Sequence, residues 1–553
     1  MAPDIMERAA QMFPKLTPAQ IDRISSIGHR REVRAGEMLY DVGDQNTRFF
    51  VVLAGEIEVL RLIGEREEPV TKHHAAEFTG EINMLSARRS LVRARAAGDG
   101  AVISVDRNDL RTLVQRDSEL SEILMRAFIL RRVALANQDT NDMVLLGSRH
   151  SGSTQRIREF LSRNGQPFTY QDVESDPSVQ VLLDQFHVGV NDVPVVVCRG
   201  GHVLKNPSIE LLANKAGLSA DLDAAQVREV VIVGGGPAGL AAAVYGASEG
   251  LDVLVLESTA PGGQAGTSSR IENYLGFPTG ISGQALSGRA LTQAEKFGAE
   301  VAIGRTVARL DCDSRPYRLF LTDGQVVRTR TIVVATGAKY RKLDVPSFDR
   351  YDNAGVYYCA TYLESQQCHG EEIAIVGGAN SAGQAAVFLA GVAKRVNMLV
   401  RGPGLSESMS RYLIQRIEGT PNVSLRTRTQ VEALEGDKGL ERVRWRHVDS
   451  GERETHDIRN LFLMTGADPN TDWIAGCLQL DEKKFVKTGA DLLPEDLVTA
   501  HWPLPRRPYL MESSIPGVFC VGDARAASVK RVASAVGEGS ICIQLVHRAL
   551  GEL

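Results

Sequence analysis

Residues 229–258, EVVIVGGGPAGLAAAVYGASEGLDVLVLES, decide how the largest part of this chain folds. An apolar run at 230–233 meets Gly234-x-Gly236-x-x-Gly239, then a small-residue helical pattern and a second apolar run ending in Glu257. The first glycine permits a tight turn, the second admits a diphosphate, and the third lets helix and strand pack closely. Pro237 and Ala238 open a helix whose N-terminal N–H groups and dipole favour an anion. The acid about twenty residues on can accept from a ribose hydroxyl. Together these features predict a Rossmann-type dinucleotide site.

A second unit lies at 371–402, EEIAIVGGANSAGQAAVFLAGVAKRVNMLVRG. Gly377 and Gly378 start its turn, Asn380 and Ser381 lie within it, and Ala379 and Ala382 take the other two glycine places. Beyond its second strand stands Arg401 rather than an acid. A cation there suits a 2′-phosphate and so favours NADPH over NADH; Arg411 is a second candidate. The late stretch GVFCVGDAR, 517–525, places Gly522 and Asp523 after a strand, where the carboxylate can accept from a ribityl hydroxyl. One FAD domain is therefore expected at 226–343 and 468–553, interrupted by an NAD(P)H domain at 344–467.

Residues 227–553 resemble the low-molecular-weight thioredoxin reductase family. The resemblance runs through GGGPAG, PGGQAGTSSRIENYLGFP, VVATGA, GVYYCAT, GGANSA, GADPNT and GVFCVGDA…KRVASAVGEG. It implies that Gly263, Gln264, Asn273, Val307, Thr336 and Gly337 line FAD, that Asp523, Arg531, Val532 and Ala533 reach its ribityl chain and ring, and that the protein is a homodimer. In that family a dithiol beside the flavin exchanges with thioredoxin. Here 359–362 reads Cys-Ala-Thr-Tyr: Cys359 is present, and Tyr362 takes the place of the flavin-adjacent thiol. The next thiol, Cys368, is nine residues away. In the helix predicted for TYLESQQC that distance is about 13 Å, too far for a disulfide.

The first 140 residues read as short strands with turn glycines and then a helix, LSEILMRAFILRRVAL. GEMLYDVGD, VVLAGEIEVL and FTGEINMLSARRS (78–90) resemble the cyclic-nucleotide-binding domain family. That resemblance implies a phosphate cassette with Gly80 at its start, Glu81 on the ribose and Arg88 or Arg89 on the phosphate of cAMP or cGMP. The cassette is a residue short and lacks the proline before its arginine. Residues 141–222 read β-α-β-α-β-β-α and resemble the thioredoxin/glutaredoxin fold, entered at Val193-Pro194 through a bond able to adopt cis; a small flavodoxin-like unit is the alternative. Ser151 and Thr154 stand where that fold has two cysteines, so the module is expected to be redox-inactive.

The fold class is thus multidomain: a β-barrel with helices, a thioredoxin-like α/β module, and two Rossmann-like, three-layer ββα domains. Net charge is −5 with no long single-sign run, which points to neither nucleic acid nor an anionic membrane. No basic head with an apolar run opens the chain, and no apolar window is long enough to span a bilayer. Seven scattered cysteines suggest no disulfide framework, and the eleven histidines no metal pattern. A cytoplasmic location is the expectation.

Three functional readings follow. The leading one is an FAD-dependent oxidoreductase that takes hydride from NADPH and reduces a ferredoxin-like protein, a quinone, dioxygen or a disulfide attacked by Cys359 alone, with cyclic nucleotide as a possible gate. A thioredoxin-disulfide reductase pairing Cys359 with another thiol is the second. A regulatory protein that senses FAD, NADPH and cyclic nucleotide without turnover is the third.

Overall fold

A computed structural model describes residues 11–553 apart from 45–46, 64–65, 81–83, 86–88, 91, 137–142, 150, 174–191, 199–201, 220–221, 269, 353, 359, 361 and 438. Cys359, Glu81 and Arg88 therefore lie outside the described residues, as does the helix expected at 179–186.

Helix α1 (Pro18–Ser25) starts at a capping box, with Thr17 and Gln20 satisfying each other's backbone N–H groups. Strands β1 (His29–Val33), β2 (Met38–Tyr40), β3 (Phe49–Ala54), β4 (Ile57–Ile63), β5 (Arg66–His73), β6 (Arg93–Ala96) and β7 (Gly100–Val105) form two sheets, ordered β1-β7-β3 and β2-β6-β4-β5. Helices α2 (Arg107–Arg116) and α3 (Ser118–Ala136) follow. Phe128 of α3 meets Phe49 and Phe78 edge-on at 6.1 and 6.2 Å, so the helix closes the apolar interior between the sheets.

Next come β8 (Val144–Gly147), α4 (Gly152–Arg163), β9 (Thr169–Asp172), β10 (Val195–Cys198), β11 (His202–Lys205) and α5 (Ile209–Lys215). The sheet order is β11-β10-β8-β9; β8 and β9 are parallel, and β10 is antiparallel to both β8 and β11. The peptide before Pro194 is cis, and Ser151 caps α4, its hydroxyl accepting from Thr154 N.

The third unit begins with β12 (Val227–Val233), α6 (Pro237–Ser248), β13 (Val253–Glu257), α7 (Gly283–Phe297) and β14 (Glu300–Ile303). A meander of β15 (Val307–Asp311), β16 (Tyr317–Leu321) and β17 (Val326–Val334) completes its first half. Strands β14, β13, β12 and β17 run parallel, because each crossover carries a helix or the meander. The chain leaves through β18 (Ala338–Tyr340) and enters the inserted unit: β19 (Val356–Tyr357), α8 (Tyr362–Gln367), β20 (Glu372–Val376), α9 (Asn380–Ala390), β21 (Arg395–Leu399), α10 (Arg411–Glu418) and β22 (Val423–Arg426). A second meander, β23 (Thr429–Glu435), β24 (Arg442–His447) and β25 (Arg453–Asp457), precedes β26 (Leu461–Leu463). The inserted sheet is parallel with order β19-β26-β20-β21-β22. The return strand β27 (Ala467–Pro469) pairs antiparallel with β18, so the two connections cross side by side. Helix α11 (Pro494–Thr499) and strand β28 (Val518–Cys520) follow; β28 joins β17 in parallel, and α12 (Val532–Glu552) packs along α6.

One expectation is corrected. The scattered cysteines suggested no bridge, yet Cys312 and Cys477 form a disulfide, with 6.0 Å between their Cα atoms and 165 residues between them in sequence. The excursion through the inserted unit hides this proximity, because it returns the chain beside the end of β15. Cys198, Cys368, Cys520 and Cys542 are buried free thiols.

Candidate active site

The C-terminal ends of β12, β13, β17 and β28 converge on the 234–239 turn. Gly234 has φ +105°, and a Cβ there would stand 2.4 Å from the Ala335 carbonyl oxygen. A Cβ on Gly239 would lie 1.9 Å from Gly234 O, whereas one on Gly236 would meet nothing within 4 Å. Two glycines therefore serve close packing, and the third leaves open space. Gly236 is the uncapped N-cap of α6, with Pro237 and Ala238 opening the helix, so the first N–H groups face that space.

Glu257 is buried at the end of β13. One carboxylate oxygen accepts from Gly235 N at 2.7 Å; the other accepts from Thr259 N and Ala260 N at 2.8 and 3.1 Å. It ties the glycine turn to the loop 259–266, a task its expected ribose role did not include. Gly263 of that loop has φ +52°, and its Cβ position lies 3.2 Å from Gly236 Cα. Gln264 Nε2 donates to Ala338 O, Thr336 Oγ1 donates to Asn470 O at 2.7 Å, and Gly337 O accepts from Asn470 N at 3.0 Å. These bonds latch the crossing strands over the site. Val307 is buried and Asn273 is exposed.

On the return side, Gly522 N donates to Glu538 at 2.7 Å, and the same carboxylate pairs with Arg525 at 2.7 Å. Glu538 thus fixes the turn that presents Asp523; no spacing in the sequence singles it out. Burial raises the Asp523 carboxyl above the usual range, against the opposing pull of the Lys530 ammonium. A hydroxyl donated to Asp523 would restore the solvation its charged form has lost. Arg531 is the N-cap of α12 without a side-chain cap, so the helix start at Val532 and Ala533 offers backbone N–H groups. The open cradle at Gly236, two uncapped helix starts and a desolvated carboxyl fit a dinucleotide with polyol and ring portions.

In the inserted unit, Gly377 has φ +144°, with its Cβ position 2.4 Å from Met464 O. Ala379 is the uncapped N-cap of α9, and Ala382 is fully buried, so the methyl at the third place is accommodated. Residues 402–410 fold over this turn: Ser408 Oγ donates to Gly378 O at 2.8 Å, and Ser410 N donates to Asn380 Oδ1 at 2.7 Å. Ser381 lies in the first turn of α9; Arg401 and Arg411 are both exposed.

Tyr362 opens α8 and is 71% exposed. Cys368 follows that predicted helix, fully buried; its Sγ donates to Glu364 O at 3.2 Å, and burial pushes its thiol up to about 12. The hydroxyl of Tyr357 donates to Gln367 Oε1 at 2.7 Å, and Tyr358 stacks on Tyr340 of β18 with ring centroids 5.4 Å apart.

The N-terminal unit carries a partly open cavity of about 220 Å³ whose lining includes Val59, Val70, Gly80, Met84, Val92 and Arg131. Buried Arg131 of α3 donates to Phe78 O and Gly80 O at 3.1 and 2.8 Å, and burial lowers its pKa to about 10. Gly80 lines this cavity. Arg89 is not part of the lining: it is exposed, and its side-chain carbons lie 2.9 Å from where a Cβ on Gly217 would stand. Among the described residues no group of three or more His, Cys, Asp or Glu could hold a metal, and no helix is long and apolar enough to cross a membrane.

The profile of the pyridine nucleotide-disulphide oxidoreductase family matches residues 228–539, and that of the cyclic nucleotide-binding domain matches 30–117. Thioredoxin reductase of Streptomyces coelicolor is 32% identical over 319 residues, 57% of this chain and 91% of that protein. Its counterpart from Eremothecium gossypii is 31% identical over 341 residues, 59% of this chain and 98% of that protein. The crystal structure of Lactococcus lactis thioredoxin reductase superposes with a TM-score of 0.52 at 29% identity, covering 59% of this chain and all of that one. The chain belongs to the pyridine nucleotide-disulphide oxidoreductase family: it is an NAD(P)H-dependent flavoprotein oxidoreductase of thioredoxin reductase type, with a cyclic nucleotide-binding domain preceding it in the chain.

Proposed function

We propose that this oxidoreductase takes hydride from NADPH and delivers electrons to an acceptor by a route that does not use the family's paired thiols. The observation that carries this reading is the Cys-Ala-Thr-Tyr sequence at 359–362, combined with the burial of Cys368. Thiol exchange requires an accessible thiolate and a second sulfur to resolve the mixed disulfide. Cys368, protonated up to about pH 12 and bonded to its own helix, serves as neither.

Bound FAD supplies exchange between a hydride and an acceptor. The residues of the chain hold and orient it: 234–239 and α6 at the diphosphate, Gly263, Gln264, Thr336 and Gly337 along its length, Asp523 at the ribityl hydroxyls, and the start of α12 at the ring. The 377–382 turn takes the pyridine nucleotide, with Arg401 at its 2′-phosphate. The crossing strands β18 and β27 let the inserted unit present either nicotinamide or acceptor to the flavin.

Candidate acceptors are thioredoxin, a ferredoxin-like protein, a quinone and dioxygen; the thioredoxin reductases among its relatives favour a thioredoxin-like protein. The 141–222 module, whose sheet order and cis-proline suit a thioredoxin-like fold, carries Ser151 and Thr154 in the cysteine places and is assigned no redox step. The 220 Å³ cavity is the place for cAMP or cGMP as effector. A homodimer in the cytoplasm completes the reading.

Anaerobic reduction by NADPH, followed by separate mixing with each acceptor, tests it. Flavin bleaching by NADPH and reoxidation by at least one acceptor are expected. Bleaching with no reoxidation by any acceptor would favour a sensor instead. Rapid thioredoxin reduction that Cys359→Ser abolishes would show thiol exchange through Cys359 and refute this reading.

A further inference from the structure

The 141–222 module carries no thiol pair, yet its helix α4 ends against the loop expected to hold the flavin. Arg163, the last residue of α4, donates through Nη2 to Gly263 O at 2.7 Å, and Glu159 steadies its Nη1 at 3.2 Å. Asn164, the C-cap and 8% exposed, donates from Nδ2 to Thr259 O at 3.0 Å and to Phe160 O at 2.8 Å. From the other side, Gln284 in the first turn of α7 donates to Ser162 O at 3.0 Å. Three side-chain hydrogen bonds thus join the end of α4 to residues 259–284.

These bonds hold atoms that also contact the dinucleotide turn. Thr259 is gripped twice, its N–H by Glu257 and its carbonyl by Asn164. Gly263 is fixed between Arg163 on one side and Gly236 on the other. A second contact lies nearby: a Cβ on Gly304 would stand 2.5 Å from Ala213 of α5, and Arg305, whose N–H donates to Glu257 O, reaches Asn214. The apolar interiors are also continuous, with Ile157, Phe160 and Leu161 of α4 in one buried cluster with Val230, Val255 and Ile303. A tethered shuttle domain would need a separable core; the larger buried cluster of this module is shared with the flavin unit.

We propose that the 141–222 module is a built-in part of the flavin site, with Arg163 and Asn164 as positioning residues that set the distance between the 259–266 loop and Gly236. This rests on FAD occupying the 234–239 turn, and its function is to hold the cofactor rather than to relay electrons. Arg163 supplies a charged donor in a half-buried setting, where loss of a hydrogen bond lowers affinity by roughly tenfold to a hundredfold.

The test has two arms on the full chain. In the first, hydrogen exchange is compared between deflavinated protein and protein reloaded with FAD. The inference requires protection of 157–164 in step with 234–239 and 259–266. In the second, the FAD dissociation constant is measured for wild type, Arg163→Met, Arg163→Lys and Asn164→Ala. Arg163→Met and Asn164→Ala should each weaken FAD by at least about tenfold, and Arg163→Lys should recover part of the loss. Unchanged affinity in Arg163→Met overturns the inference, as does FAD that protects 234–239 while 157–164 exchange as before. If Arg163→Met fails to fold, the exchange arm on wild type decides alone. A full chain that neither purifies with FAD nor takes it up when FAD is added would instead overturn the reading of the 234–239 turn.

Discussion

At the scale of single residues, substitutions at three positions separate backbone, charge and thiol effects. Gly234→Ala puts a methyl 2.4 Å from Ala335 O in a left-handed conformation. It should cost well over 1 kcal/mol and yield protein purified without yellow colour, read as the 450 nm to 280 nm absorbance ratio. Arg401→Ala removes an exposed cation; the KM for NADPH should rise about tenfold or more while that for NADH stays within about twofold. Equal effects on both would assign Arg401 to the surface. Cys368→Ser should leave flavin reduction and reoxidation rates within about twofold, since its thiol is buried and bonded to Glu364 O. The glycine roles were legible in the sequence because each is local. The partners of Glu257 and Gly522 were not, because Thr259 N, Ala260 N and Glu538 meet them only once the loop and α12 have folded back.

At the scale of elements, two features carry stability predictions. The Cys312–Cys477 bridge joins the end of β15 to the return segment across the whole inserted unit. Its removal in Cys312→Ser should lower stability by about 2–4 kcal/mol in non-reducing buffer, and dithiothreitol should erase the difference from wild type. His73, the last residue of β5, is buried, and its pKa falls to about 3 because burial disfavours the imidazolium, with the Arg131 cation adding to the effect. Below about pH 6.5 the unfolded chain binds a proton that folded His73 refuses. The stabilisation is therefore full above pH 6.5 and is lost by roughly 1.4 kcal/mol per unit as pH falls toward 3. Urea midpoints between pH 7 and 5 should drop in wild type and flatten in His73→Gln. The parallel strands at 230–233 and 253–257 and at 372–376 and 395–399 follow from apolar runs and turn glycines, whereas the two antiparallel meanders were not read from the sequence. The bridge escaped that reading because 165 residues of inserted domain separate its halves.

At the scale of the whole molecule, residues 359–362 read Cys-Ala-Thr-Tyr, and the free cysteines among the described residues, Cys198, Cys368, Cys520 and Cys542, are all buried. Continuity of the second module with the flavin domain was illegible, because Arg163 and Asn164 look like an ordinary helix end until Gly263 and Thr259 are placed beside them. A cofactor-holding role also gives this α/β module a task that needs no thiol pair. Anaerobic dithionite titration of Cys312→Ser protein, in which the Cys312–Cys477 bridge adds no equivalents, decides whether the flavin works without a coupled dithiol. Two electrons per FAD are expected at full bleaching of the 450 nm band. Four electrons per FAD would reveal a second two-electron centre, the coupled dithiol this account excludes, and would contradict it.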